Sequence, residues 1–149
     1  MLKSVGRGMI GLALLGAAPF STIAAARAAD LTVVIDNLRN NKGVVTVSVY
    51  DSARTWLVDG KSLVDQYPKA HVGRVETTFH NLKPGPYAVV VMHDENMNDK
   101  MDYSLLGLPQ KGYAFSQNVR PFLSAPSFAR AAFTLLPQGG VIEIRMVYP

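Results

Sequence analysis

From Leu31 the chain alternates apolar and polar residues with a period of two, the repeat of a strand with one buried face. Leu31, Val33 and Ile35 fall on one side, and Thr32, Val34 and Asp36 on the other. Asn37 to Gly43 (NLRNNKG) is a cluster of turn formers, after which Val45, Val47 and Val49 alternate with Thr46, Ser48 and Tyr50. These two runs are expected to pair as a hairpin. Residues 51–70 are less regular. There Trp56 and Leu57 are candidates to pack back on the core, and Leu63 to Tyr67 reads as a helical turn. Alternation returns with Val75, Thr77 and Phe79 against Arg74, Glu76, Thr78 and His80, a strand with one wet face. Leu82-Lys83-Pro84-Gly85 signals a sharp type II turn. The run Tyr87 to His93 is almost continuously apolar, as expected of a central strand covered on both faces.

A long excursion from Asp94 to about Phe128 follows, rich in Gly, Pro, Asn and Ser and therefore expected to be irregular. Ala131, Phe133 and Leu135 suggest a strand, Pro137-Gln138-Gly139-Gly140 a turn, and Ile142, Ile144, Met146 and Tyr148 the buried side of a last strand. Six or seven short strands, frequent turns and no strong helix predict an all-β fold, an antiparallel β-sandwich of about seven strands with one long ordered loop. A small barrel is the alternative, because periodicity does not decide closure.

The first residues follow a different rule. Lys3 and Arg7 precede an apolar run from Met9 to Phe20, and small residues follow up to Ala29. This is the pattern of an export signal, with cleavage expected after Ala28 and Ala26 or Ala29 as alternatives. The apolar run falls well short of the ~20 residues that span a bilayer, so a membrane anchor is disfavoured. No Cys is present to be acylated, which excludes a lipoprotein. The expected organisation is a signal over residues 1–28 and one domain over 29–149, placed in the periplasm or secreted.

That reading changes the charge. The chain has 15 Lys and Arg against 11 Asp and Glu. Loss of Lys3, Arg7 and Arg27 leaves 12 against 11, a net charge of about +1. No concentrated basic footprint remains for nucleic acid. The lack of Cys also excludes disulfides, thiol catalysis and thiolate metal sites. No Gly-rich phosphate loop or dinucleotide fingerprint is present.

The most specific local feature is Asp94-Glu95-Asn96-Met97-Asn98-Asp99-Lys100-Met101-Asp102. Oxygen-bearing side chains fall at relative positions 1, 3, 5 and 9, as in the first part of an EF-hand calcium loop. Asp94, Asn96, Asn98 and Asp102 are the candidate metal ligands, with Lys100 contributing its carbonyl. Calcium is the candidate ion because the donors are all oxygens. Two residues depart from the pattern. Asp99 stands where the sharp turn prefers Gly, and Leu105 stands where a bidentate Glu closes the shell. A metal-free Asx-rich turn is the competing reading.

Three segments together carry a resemblance: Phe79 to Val89 (FHNLKPGPYAV), His93 to Asp102 (HDENMNDKMD) and Leu106 to Ser116 (LGLPQKGYAFS), with Pro126-Ser127-Phe128 downstream. They resemble an uncharacterised bacterial family of exported single-domain proteins, whose loop reads D-E-N-x-N-G-K-x-D followed by a G-x-P-x-E-G-Y-x-F-S-like segment. The resemblance implies a transthyretin-like or carboxypeptidase-regulatory-like sandwich and supplies no activity. Gln110-Lys111 stands where an acidic residue is common in that pattern.

Other chemistry is thinner. Tyr103, Leu105, Leu106, Leu108, Tyr113, Phe115, Phe122 and Phe128 are expected to form a satellite core that pins the excursion. An aromatic surface for a glycan or peptide, built on Tyr103 or Tyr113, is the alternative. His80 and His93 are expected near one another across the Pro84-Gly85 turn, a conceivable zinc pair that lacks a third ligand. His93 beside Asp94, with Ser104 or Ser116, is the weak outline of a hydrolase, without a nucleophile elbow. The sequence thus points first to a non-enzymatic binding or accessory module with a calcium-ordered loop and a protein or glycan partner. A periplasmic hydrolase centred on His93 comes second.

Overall fold

The computed structural model describes residues 27–149, so the expected signal lies outside the described residues except for Arg27 and Ala28. Eight strands are present among them: β1 (Ala29–Leu38), β2 (Val44–Tyr50), β3 (Val64–Gln66), β4 (Gly73–Leu82), β5 (Gly85–Asp94), β6 (Gly112–Phe115), β7 (Phe133–Leu135) and β8 (Gly140–Arg145). A 3₁₀ turn (Ser116–Asn118) and a one-turn helix α1 (Phe128–Ala131) complete the secondary structure. The strands form two sheets, and the fold is the all-β sandwich that the periodicity predicts.

The first sheet has the order β4-β1-β8. Register puts Leu31 opposite Phe79, and Ile35 opposite both Val75 and Ile144. Directly opposed residues point to the same face, so the alternating residues of three strands make one apolar surface. The β1–β8 pair is parallel and every other pair in the two sheets is antiparallel. In the second sheet, β3, β2 and β5 are neighbours, and β6 and β7 share the far edge of β5. β6 pairs with Val90 to His93, and β7 with Gly85 to Tyr87. Val45, Val47, Val49, Val89 and Val91 are fully buried between the sheets with Leu31, Val33, Ile35, Phe79 and Ile144.

β5 is covered on both faces, as its unbroken apolar run predicts. Its Ala88 and Val90 face away from the main core and pack with Phe115, Ala131, Trp56, Tyr113 and Phe128. Trp56 is the hub of this second cluster. Its ring lies 5.2 Å from Tyr50, 6.0 Å from Phe115 and 6.1 Å from Phe128, and its indole N–H donates to the Pro126 carbonyl at 2.8 Å.

Four expectations are corrected. β1 and β2 do not form a hairpin: they lie in different sheets, because the two valine-rich faces cover each other across the sandwich instead of lying side by side. β4 and β5 likewise belong to different sheets. Gly85 has φ 152°, far from the value near +80° of a type II turn, and the chain changes sheet there. Residues 64–66 are a strand and not a helical turn; they supply an edge partner for β2, and the Gln66 amide donates to the Thr78 carbonyl at 2.9 Å. The excursion contains β6, because the open edge of β5 needs backbone partners.

Candidate functional site

The acidic loop leaves the sandwich at the end of β5, where His93 and Asp94 are both buried. It is pinned first by backbone packing. Gly43, at φ +66°, lies so close to the loop that a Cβ there would meet the Asp94 carbonyl oxygen at 2.0 Å. Its neighbour Lys42 offers its carbonyl to His93 Nε2 at 2.8 Å, while His93 Nδ1 and the Tyr148 hydroxyl are 2.7 Å apart. The Tyr148 ring in turn packs on Gly112, leaving no room for a Cβ. Glu95 turns outward from this corner. It pairs with Arg39 through both guanidinium arms and accepts from the Asn40 amide at 2.5 Å. The Arg39 guanidinium sits 4.6 Å over the Tyr148 ring. The Arg39 hydrogen bond is the main reason that the Glu95 carboxyl falls from its usual 4.5 to about 2, against burial and with help from Asn40.

Within the loop, Asp94 acts as a backbone cap. It accepts from the Asp99 N–H at 2.7 Å and the Asn98 N–H at 3.4 Å. Asp99 has φ +55°, so the position that prefers Gly does adopt the left-handed conformation. Asp can do so because its short polar side chain tolerates that region. Asp102 closes the far end. Its two oxygens accept from the Asn96 and Asn98 amides, each at 3.0 Å.

The centre of the loop is held by a side chain absent from the sequence-based ligand set, Lys111. It stands one residue before β6, and its side chain is only 5% exposed. The ammonium donates to Asp94 Oδ1 at 2.6 Å, to Asn98 Oδ1 at 2.5 Å and to the Lys100 carbonyl at 2.5 Å. Asp102 Oδ2 lies 3.4 Å away. An ammonium has three N–H groups, and three acceptors take them. Burial alone pushes the Asp94 carboxyl up, but the Lys111 hydrogen bond, the two backbone donors and the Lys111 charge outweigh it and bring it below the usual range. The Asp102 carboxyl is lowered chiefly by the Asn98 hydrogen bond, with Asn96 and Lys111 adding to it.

The structure therefore brings together Asp94, Asn98, the Lys100 carbonyl and Asp102, four of the five expected donors. It leaves Asn96 to one side as a partner of Asp102. The convergence point carries a positive charge already. A calcium ion among these oxygens would stand against the Lys111 ammonium, so the donor set as it is folded does not fit the expected ion. Among the described residues no group of three or more His, Asp or Glu side chains is placed to hold a metal.

The remaining candidates separate. His80 is exposed, with Nδ1 2.9 Å from Asp30 Oδ2, on a different sheet from His93, so the two form no zinc pair. Both His93 ring nitrogens have structural partners, and neither is Ser104 or Ser116. Ser116 is fully buried, accepting from the Val89 N–H and donating to the Ala131 carbonyl. The Ser104 hydroxyl accepts from the Leu108 N–H. The expected satellite core forms from Tyr113, Phe115 and Phe128, but Tyr103, Leu105, Leu106, Leu108 and Phe122 stay outside it and exposed.

Those exposed residues have a local order. Residues 103–109 form a small hairpin, bridged from Tyr103 to Pro109 and closed by the Ser104 N–H on the Leu108 carbonyl at 2.9 Å. Gly107, at φ +74°, makes the turn. Leu105 and Leu106 sit at its tip, 106% and 86% exposed. Its base is tied to the acidic loop by the Gln110 N–H on the Asp102 carbonyl at 2.8 Å and by Lys111.

No curated protein and no solved structure matches the chain. One family model does, over residues 33–143, a span that includes the acidic loop, the 103–109 hairpin and Lys111. The chain thus belongs to the family described as uncharacterized protein conserved in bacteria (DUF2141).

Proposed function

We propose that this protein is an exported, non-enzymatic binding module that presents the apolar tip of the 103–109 hairpin to a protein partner. The observation that carries the reading is the pairing of an exposed Leu105-Leu106 tip with a firmly braced base. Two adjacent leucines held in water lose the favourable transfer that burial would bring, about 1.5–3 kcal/mol for each side chain. Contiguous exposed apolar residues of this kind mark interaction sites more often than scattered ones do. Bracing lowers the ordering cost of association, because the hairpin is already shaped before contact. A protein surface is favoured over a glycan because the tip offers branched aliphatic groups, whereas sugars are held by flat rings and polar handles. Tyr113 lies in β6 against Phe115, at 6.0 Å between rings, and is part of the packing. The export reading rests on the charged, apolar and small-residue segments of the first 28 residues and puts the module in the periplasm or outside the cell.

The test is site-specific photocrosslinking in the native cell. A benzophenone side chain at position 105 is expected to give one or a few discrete protein adducts. The same group at Glu76, exposed on β4, is expected to give none. A Leu105→Ser, Leu106→Ser variant carrying the probe at Leu108 loses the adduct while its melting temperature stays within about 2 °C. Equal labelling from positions 105 and 76, or no adduct from 105, overturns the reading.

A further inference from the structure

We infer that Lys111 is the built-in cation of the acidic loop: its ammonium takes the place of a divalent ion, making the loop metal-independent, and removing its charge converts the same oxygens into a divalent-cation site. The inference is independent of the hairpin's partner and stands or falls without it.

The geometry carries it. The oxygens of Asp94, Asn98, Lys100 and Asp102 converge on one point, at the relative positions 1, 5, 7 and 9 that face the ion in a calcium loop. Lys111 Nζ is at that point. A hard cation needs six to eight oxygens at about 2.3–2.6 Å. An ammonium needs three acceptors, and three are present at 2.5–2.6 Å. The loop has thus been reduced to the coordination that a lysine can use. Asn96, the donor at position 3, is released from the centre and instead fastens Asp102. Leu105, at position 12, is not called on for a carboxylate and stands free at the hairpin tip.

Burial and tethering explain why the exchange works. Asp94 is 1% exposed, and a carboxylate so placed requires a partner charge. Lys111 supplies it from one residue before Gly112, whose backbone is locked in the β5–β6 ladder opposite His93. The cation therefore arrives with the fold and at no cost in ion concentration. It also joins the two ends of the 94–111 segment, so the hairpin base is closed in any ionic environment.

The experiment uses the purified protein, calcium chloride as the probe, and two variants, Lys111→Glu and Lys111→Gln. For the unsubstituted protein, calorimetric titration is expected to show no binding heat. Its melting temperature should change by less than about 1 °C between EDTA and 10 mM calcium. Lysine-reactive labelling followed by mass spectrometry is expected to spare Lys111 while modifying Lys83 and Lys100. Lys111→Glu is expected to melt lower in EDTA and to recover by about 5 °C or more in 10 mM calcium, with a binding isotherm at one site. Lys111→Gln, which keeps a neutral donor, should show the same calcium response in weaker form. Stoichiometric calcium binding by the unsubstituted protein overturns the inference, as does Lys111 labelling as fast as the exposed lysines. Calcium insensitivity of folded Lys111→Glu and Lys111→Gln overturns it as well. If Lys111→Glu fails to fold, the titration and labelling of the unsubstituted protein still decide.

Discussion

At the corner where β5 leaves the sandwich, Glu95 and Asp94 point in opposite directions and meet different cations. Asp94 turns inward to Lys111, and Glu95 turns outward to Arg39. The Glu95 pair makes a pH prediction. Its carboxyl is held at about 2 in the fold against the usual 4.5. A depressed folded value means that the contribution to stability is complete above about pH 4.5 and is lost as pH falls toward 2. Glu95→Gln is therefore expected to lower the urea midpoint at pH 6, and its difference from the parent should shrink as pH falls from 4.5 and vanish only once pH is below the folded value of about 2. A difference that stays constant across this range would assign the loss to packing and not to the charge. The same corner shows what spacing can and cannot reveal. Asp94, Asn98, Lys100 and Asp102 were legible because a tight loop turns regularly spaced oxygens toward one centre. Lys111 was not, because it is brought there by the pairing of β6 with β5, which no local pattern encodes. Its one signal in the sequence was its departure from the acidic residue that the resemblance leads one to expect there. Lys111 brings a cation to the loop from that place.

The elements were legible in proportion to how regularly they alternate. β1, β2, β4 and β8 announce themselves through their apolar faces, and β5 through its unbroken run. Their partners do not follow from the same pattern. A period of two says which side of a strand is buried but not whether the next strand lies beside it or across the core, so β1 and β2 were misassigned as a hairpin. The short strands β3, β6 and β7 exist because open edges of β2 and β5 have hydrogen-bonding groups to satisfy. The second cluster is likewise a tertiary product. Trp56, from an irregular segment, joins Phe115 and Phe128 only after β6 and α1 are placed. Trp56→Ala is expected to cost about 2 kcal/mol in urea unfolding, less than the ~3–5 of a fully buried aromatic because this ring is half-buried. Weakened protection of the β6 amides in hydrogen exchange should accompany it. Unchanged exchange in β6 would mean that the cluster does not hold the excursion to β5.

For the whole molecule, the two sheets meet over one core that draws buried residues from every strand except β3, which adds only the partly buried Val64. β8 gives Ile144 to that core, and Met146 follows just after it. β8 also completes the first sheet against β1. A chain ending at Gln138 lacks this strand and leaves one whole edge of β1 unpaired beside an uncovered apolar face. It is expected to lose cooperative thermal unfolding and near-ultraviolet circular dichroism; a cooperative transition in that truncation would show that the five-stranded sheet and the β4-β1 pair suffice. Among the described residues no helix is long and apolar enough to cross a membrane.

The parallel pairing of β1 with β8 has a consequence for time as well as shape. β1 waits for β8 before its sheet is complete, and contacts so far apart along a chain form slowly. Until β8 is in place, β1 keeps one edge open and the core stays unsealed. The topology thus delays closure of the first sheet until β8 has been made.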